Sequence, residues 1–242
     1  MLALALAATA AAMSAAGYQS MAATGQWYGK TFTGIRPGSK ELRSKELRSK
    51  QLALTYDDGP NDPHTLRLLE VLAKHNVRAT FFLIGRYVQQ RPDIVREIVN
   101  AGHIVGNHTF SHPNLIFVSA RQTRTQLQEC QQAVTQAIGQ HSSLFRPPFG
   151  GRRPGTLRIA RSLGLIPVMW TISGQDWKGY SADEIQHRIS RQIRGGDVIL
   201  LHDGSHTGMG VDRSQTIIAT ELLIPQAKSE GFEFVTIPEM MR

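Results

Sequence analysis

Leu52-Ala53-Leu54-Thr55-Tyr56-Asp57-Asp58-Gly59-Pro60 is the stretch from which the rest of the chain can be read. An apolar run enters it, two carboxylates stand side by side at its end, and Gly59-Pro60 then forces a turn. A strand ending in two acids suffers repulsion and desolvation unless a cation or a reaction uses them. Partners for Asp57 and Asp58 must therefore come from elsewhere in the sequence.

Outward from this stretch, short apolar runs alternate with amphipathic ones. Strands are expected over residues 51–56, 79–84, 104–105, 144–146, 166–170, 198–201 and 232–235. Helices are expected over 65–75, 92–101, 120–138, 156–163, 181–193 and 216–230. Pro92 opens one helix and Gly102 stops it, while Ser181 with Glu184 forms a capping box at the start of another. Repeated β-α units imply an α/β fold with a mostly parallel sheet, open or closed into a barrel. In such folds chemistry collects at the carboxyl ends of the strands.

The chain has 242 residues, 41% of them hydrophobic, enough for one domain with a full core. Its formal charge of +8 is concentrated: six basic and two acidic residues between 36 and 50 supply +4 and Lys30 one more. That leaves +3 for residues 51–242, which argues against a nucleic-acid partner. Cys130 is the single cysteine, so neither an intrachain disulfide nor a thiolate metal cluster can form. Residues 2–16 are small and apolar, as in an export signal or short membrane anchor, with small residues suited to cleavage near 14–17 and 21–23. The expected organisation is a signal or anchor over 1–23, a basic linker over 24–50 in which Ser39-Lys40-Glu41-Leu42-Arg43 is repeated at 44–48, and a catalytic domain over 51–242. Such a protein is exported, and touches a membrane only through its N-terminal segment if that segment is retained. A monomer is expected.

In His108-Thr109-Phe110-Ser111-His112 the imidazoles are four residues apart, which on a helix places both on one face; Pro113 disfavours helix there and allows a loop instead. With Asp58 they form a two-histidine, one-carboxylate set that leaves positions open for water and substrate. Alternation along a strand sends Asp57 to the other face from Asp58, so Asp57 suits a general base beside the metal rather than a ligand. His202, at the end of the 198–201 strand, suits a proton donor, Asp176 a carboxylate that orients its ring, and Arg146 a carboxylate clamp.

These residues resemble the five motifs of the polysaccharide deacetylase family, the NodB-homology or carbohydrate esterase 4 group, in order over about 51–238. Residues 55–59 are similar to the first motif, 108–112 to the second, 146–150 to the third, Asp176-Trp177 to the fourth and Leu200-Leu201-His202 to the fifth. The resemblance implies a distorted (β/α) barrel of about seven parallel strands. It implies Asp57 as base, Asp58, His108 and His112 as ligands of one divalent metal ion, and His202 as acid. Arg146 would then orient Asp57, and Asp176 would pair with His202. Zinc is the expected ion, with cobalt and nickel also suited to nitrogen and oxygen donors. Trp177 and Leu200 would enclose the acetyl methyl, with Tyr56, Pro147 and Phe149 completing the substrate pocket, and a backbone N–H near Phe149 would face the developing oxyanion. The implied reaction removes acetyl groups from an acetylated amino-sugar polymer such as peptidoglycan or a chitin-type chain. The alternatives are an O-acetyl esterase on a xylan-type polymer and a catalytically silent carbohydrate-binding member. Ser173 departs from the pattern, standing where many members carry an aspartate. An iron oxygenase also uses two histidines and a carboxylate, but on a β-sandwich scaffold, and would leave Asp57 and His202 without a role. The 204–212 loop is expected to be mobile, with His206 in solvent.

Overall fold

Burial along residues 51–57 is nearly complete on both faces, the mark of a strand inside a parallel sheet rather than at its edge. In the computed structural model, which describes residue 14, residues 17–35 and residues 50–242, this segment is the central strand β1 (Gln51–Asp57). On one side of it lie β2 (Thr80–Leu83), β3 (Ile104–Asn107), β4 (Leu144–Phe145) and β5 (Ile166–Pro167). On the other lie β7 (Asp197–His202) and then β6 (Ile172–Ser173). Every pairing is parallel, and β8 (Glu233–Phe234) pairs with Gln51 and Leu52 where β2 has not yet begun. The sheet curls into a distorted (β/α) barrel whose free edges are β5 and β6.

The two-residue period of β1 divides the core. Leu54 and Tyr56 point outward, packing with Phe81, Leu83, Ile199 and Leu201 beneath the helices. Those helices are α1 (His64–Lys74), α2 (Gly85–Gln90), α3 (Pro92–Asn100), α4 (Ala120–Ile138), α6 (Ala182–Ser190) and α7 (Ser214–Ser229), while α5 (Pro154–Ser162) packs Ala160 with Leu115, Leu127, Phe145 and Leu165 in a separate cluster. Ala53 points inward to Phe82, Leu144, Val168 and Val198, a cluster that Ile237 and Met240 of α8 (Ile237–Met240) join. Each large apolar side chain so buried contributes about 1.5–3 kcal/mol. Register then fixes the rim: Asp57 lies opposite both Phe82 and His202, and Asn107 opposite Leu83 and Phe145. Asp58, His108, Arg146 and His202 consequently leave the sheet at one end.

The short elements β6, α2 and α8 add to the expected set, being too brief to show a period. Residues 166–170, expected as one strand, contribute only Ile166–Pro167. Most of the apolar run 2–16 and the tandem repeat lie outside the described residues. Of the stretch expected as a linker, residues 24–35 pack on the domain: Phe32 bridges to Val168 and Gly34 to Asp197, with Thr31 and Thr33 buried. The backbone beyond β5 and at the start of β7 gains partners that way. Among the described residues no helix is long and apolar enough to cross a membrane.

Candidate active site

β1 ends at Asp57, and Asp58 takes a left-handed backbone with φ of 74°. Strict alternation therefore stops one residue earlier than expected, and both carboxylates face the same cavity. The β3 strand ends at Asn107, whose buried amide fixes the conformation of residues 108–112. Its Nδ2 donates to Leu127 O at 2.9 Å and its Oδ1 accepts from Thr109 N at 2.9 Å. Thr109 Oγ1 in turn accepts from His112 N at 3.0 Å. Thr109 and His112 have φ of 66° and 63°, so the segment is a side-chain-pinned loop and not a helix. Gly85 lets that loop approach closely, since a Cβ there would meet Phe110 Cδ2 at 2.8 Å and Cys130 Cα at 2.9 Å. Cys130 itself is buried, its thiol pushed up to about 12 by desolvation, which makes it inert.

One donor atom from each of Asp58, His108 and His112 lies within 4.8 Å of the other two, and all three residues are buried. His112 Nε2 is 3.1 Å and His108 Nε2 3.4 Å from Asp58 Oδ1, which accepts no hydrogen bond of good geometry. Burial disfavours charge on Asp58, yet the neighbouring imidazoles hold it well below the usual carboxylate range. Burial also draws His112 down, toward the neutral ring. His108 Nδ1 lies 2.7 Å from the Arg146 carbonyl, which only accepts, so Nδ1 is the donor there and Nε2 is the nitrogen turned toward Asp58. One carboxylate and two imidazole nitrogens converging around an otherwise unsatisfied oxygen fit a divalent cation.

Asp57 lies beside this group, its Oδ2 3.7 Å from His108 Nε2. Arg146, fully buried, reaches it from inside the barrel. Its Nη1 donates to Asp57 Oδ1 at 2.7 Å and to Thr55 Oγ1 at 2.8 Å, and its Nη2 to Met169 O at 3.1 Å. The guanidinium stacks 4.1 Å from the Phe82 ring centre. Across the rim, His202 Nδ1 is 2.9 Å from Asp176 Oδ1, and Asp176 Oδ2 accepts from His202 N and from Thr216 Oγ1. Burial opposes charge on His202, but Asp176 overrides it and lifts the imidazole to about 9. Asp176 stays low for the same reason despite its own burial.

The cavity above these groups measures about 520 Å³. Pro147, Phe149, Trp177 and Leu200 line it, together with Asp57, Asp58, His108, His112 and His202. Tyr56 does not: it points to the helical side, stacks on Phe81 and shares a hydrogen bond of 3.0 Å with Thr220. Asp57 faces inward, and the strand period sends its neighbour out.

Two features escaped the sequence reading. The loop over 204–212 is tied down: Tyr87 Oη donates to Ser205 O, Arg86 to His206 O, Asn61 Nδ2 to Val211 O and Arg213 Nε to Gly204 O. It holds His206, still exposed, at the cavity wall, stacked 4.8 Å from His112. Asp203 lies buried behind Gly59, with Oδ2 accepting from Thr65 Oγ1 at 2.5 Å and Oδ1 unpartnered among the described residues. Desolvation, with the charges of Asp58 and Asp57, pushes its carboxyl up to about 7.

The family model for polysaccharide deacetylase matches residues 44–168. A peptidoglycan-N-acetylglucosamine deacetylase of Bacillus cereus is 39% identical over 194 residues, 79% of this chain and 68% of that protein. The chain belongs to the polysaccharide deacetylase family. Within this family, a chitooligosaccharide deacetylase of Sinorhizobium fredii is 37% identical over 193 residues, covering 77% of this chain and 89% of the relative. The solved structure of the Bc1960 peptidoglycan N-acetylglucosamine deacetylase superposes with a TM-score of 0.77 at 35% identity, covering 87% of this chain and 91% of that one. A family fold carries members of different activity, so function is argued from the site.

Proposed function

We propose that this polysaccharide deacetylase is a metal-dependent hydrolase that releases acetate from N-acetylated amino-sugar polymers, peptidoglycan or chitin-type chains, outside the cytoplasm. The observation that carries the proposal is a three-donor cation set at one rim with two charge-paired groups, Asp57 on Arg146 and His202 on Asp176. Asp58, His108 and His112 would hold one divalent ion, zinc in the first instance. Bound there, the ion supplies Lewis acidity toward the acetamide oxygen and acidifies water.

The chain's own residues supply the rest. Asp57, kept oriented by Arg146, accepts the proton of the attacking water. A backbone N–H of the turn at Phe149 donates to the oxygen that gains charge. His202, held as imidazolium by Asp176, protonates the departing amine, which leaves poorly without that proton. Leu200 and Trp177 enclose the acetyl methyl and reject bulkier acyl groups.

The test is acetate release by the full chain, stripped of metal and reloaded with zinc or cobalt, on peptidoglycan, acetylated chitooligosaccharides and acetylxylan. Metal-dependent release from an N-acetylated polymer supports the proposal. Release from acetylxylan alone would replace it with an O-acetyl esterase, and no release with metal bound would replace it with a binding role.

A further inference from the structure

Arg152 and Arg146 are the largest side chains to be fully buried, yet nothing in the chemistry above uses Arg152. Among the described residues, all three hydrogen bonds of its guanidinium end on backbone carbonyls. Nη1 donates to Gly150 O at 2.9 Å, and Nη2 to Ala22 O at 2.7 Å and Gly25 O at 2.6 Å. Its own backbone N–H donates to Ser20 O at 3.0 Å. A guanidinium taken out of water and satisfied by neutral carbonyls is costly, and is hard to account for as a gain in stability. Its fork instead joins two segments that the sequence keeps more than 120 residues apart.

One segment is the N-terminal arm, residues 20–35, anchored farther along by Phe32 and Gly34. The other is the turn after Arg146. There Phe149 and Gly150 are consecutive left-handed residues, φ 57° and 71°. A side chain of Phe, unlike Gly, is strained by that backbone, so surrounding contacts must hold it. Gly150 N donates to Pro147 O and Gly151 N to Pro148 O, while Arg152 holds the Gly150 carbonyl. The arm closes over the same spot: a Cβ at Gly150 would lie 3.2 Å from Met21 O and 3.1 Å from Trp170 Cη2. The turn carries the Phe149 ring, whose centre is 4.6 Å from that of His112.

We infer that Arg152 is a positioning residue for the deacetylation reaction, clamping the N-terminal arm onto the Phe149–Gly150 turn so that this turn keeps its place beside the cation set. The inference rests on the function proposed above, because the turn matters to turnover only if it faces the reacting carbonyl. The arm is then part of the catalytic unit and not a linker. It also constrains maturation: a cut near Ala16 leaves the clamp whole, whereas a cut after Ala23 removes Ser20 and Ala22 from it.

The experiment compares the full chain with Arg152→Met, Arg152→Lys and Gln26→Ala. Gln26 is exposed and closes the arm's own turn on Thr31, with Thr31 N donating to Gln26 Oε1 at 2.8 Å, so its loss loosens the arm without touching the Phe149 turn. Amide hydrogen exchange over 147–152 should rise in Arg152→Met, less in Arg152→Lys and Gln26→Ala, while β1 and β7 amides and the zinc isotherm stay unchanged. Turnover in Arg152→Met should fall by about 10- to 100-fold, the scale of a misplacement of about 1 Å at a reacting centre. KM should stay within about twofold, and added guanidinium at non-denaturing concentration should restore part of kcat. Unchanged exchange over 147–152, or a lower melting temperature with kcat within about twofold, would overturn the inference in favour of a structural arginine. So would an active exported protein whose N-terminus lies after Ser20. If Arg152→Met does not fold, Arg152→Lys and Gln26→Ala decide. If the unaltered chain releases no acetate, the proposed function fails separately, and hydrogen exchange still tests the clamp.

Discussion

Replacing Asp176 with asparagine removes the charge that sets the protonation state of His202. The carboxylate accepts from His202 Nδ1 at 2.9 Å and from His202 N at 2.8 Å. Burial works to strip the proton from the ring, and Asp176 outweighs it, raising the imidazole from 6.5 to about 9. Without the charge the ring returns to about 6.5 or lower. At pH 8 a group of pKa about 9 is roughly 90% protonated and one of about 6.5 roughly 3%, so turnover should fall at least about 30-fold. Toward pH 6 both forms carry the proton and the deficit should shrink to a few-fold. The assay is kcat for acetate release by both proteins from pH 6 to 9, with thermal unfolding as a control. Stability has a matching sign. The folded pKa is raised, so the pair's contribution is complete below about 6.5 and is lost as pH rises through about 9, and the variant should lack that alkaline slope. A variant-to-parent ratio of kcat that stays flat with pH would refute the reasoning, leaving Asp176 only a scaffold for the ring.

Arg146→Met leaves the Asp57 carboxylate buried without its cation and should cost about 3–5 kcal/mol in urea unfolding, with acetate release lost as well. Tyr56→Phe removes one buried hydrogen bond on the helical side, so stability should fall by about 1 kcal/mol while kcat is unchanged; a raised KM would return Tyr56 to the substrate pocket. In the metal-free protein Asp203→Asn should stabilise by up to about 4 kcal/mol at pH 7, the difference between 3.8 and about 7 at 1.36 kcal/mol per unit. Because that folded pKa is raised, the parent protein should lose stability between about pH 4 and 7 where the Asp203→Asn variant would not, and parallel curves of unfolding free energy against pH would contradict the assignment.

The candidate site's rim was legible because its residues sit at strand ends that local pattern can locate. Asp57, His108, Arg146 and His202 each come at or just after the end of a strand, and the parallel sheet brings those ends together without further information. Local geometry was less legible. The left-handed turn at Asp58 and the loop of Thr109 and His112 depend on the side chains of Asn107 and Thr109, which carry no periodic signal. Tyr56 could have been placed from the sequence, since alternation from Asp57 already assigns it to the other face. The contacts of Arg152, Asp203 and His206 were out of reach. Each is made to a segment distant in sequence, by an arginine between a glycine and a second arginine, an acid after a histidine, and a histidine in a loop of small residues.

The most direct test titrates zinc into the metal-free protein while following acetate release from an N-acetylated polymer, for the unaltered chain and for Asp57→Asn. The account predicts that release rises with zinc to a plateau at one equivalent, and that Asp57→Asn binds the same equivalent through Asp58, His108 and His112 but releases no acetate. Release without metal, or full release by Asp57→Asn, would contradict it.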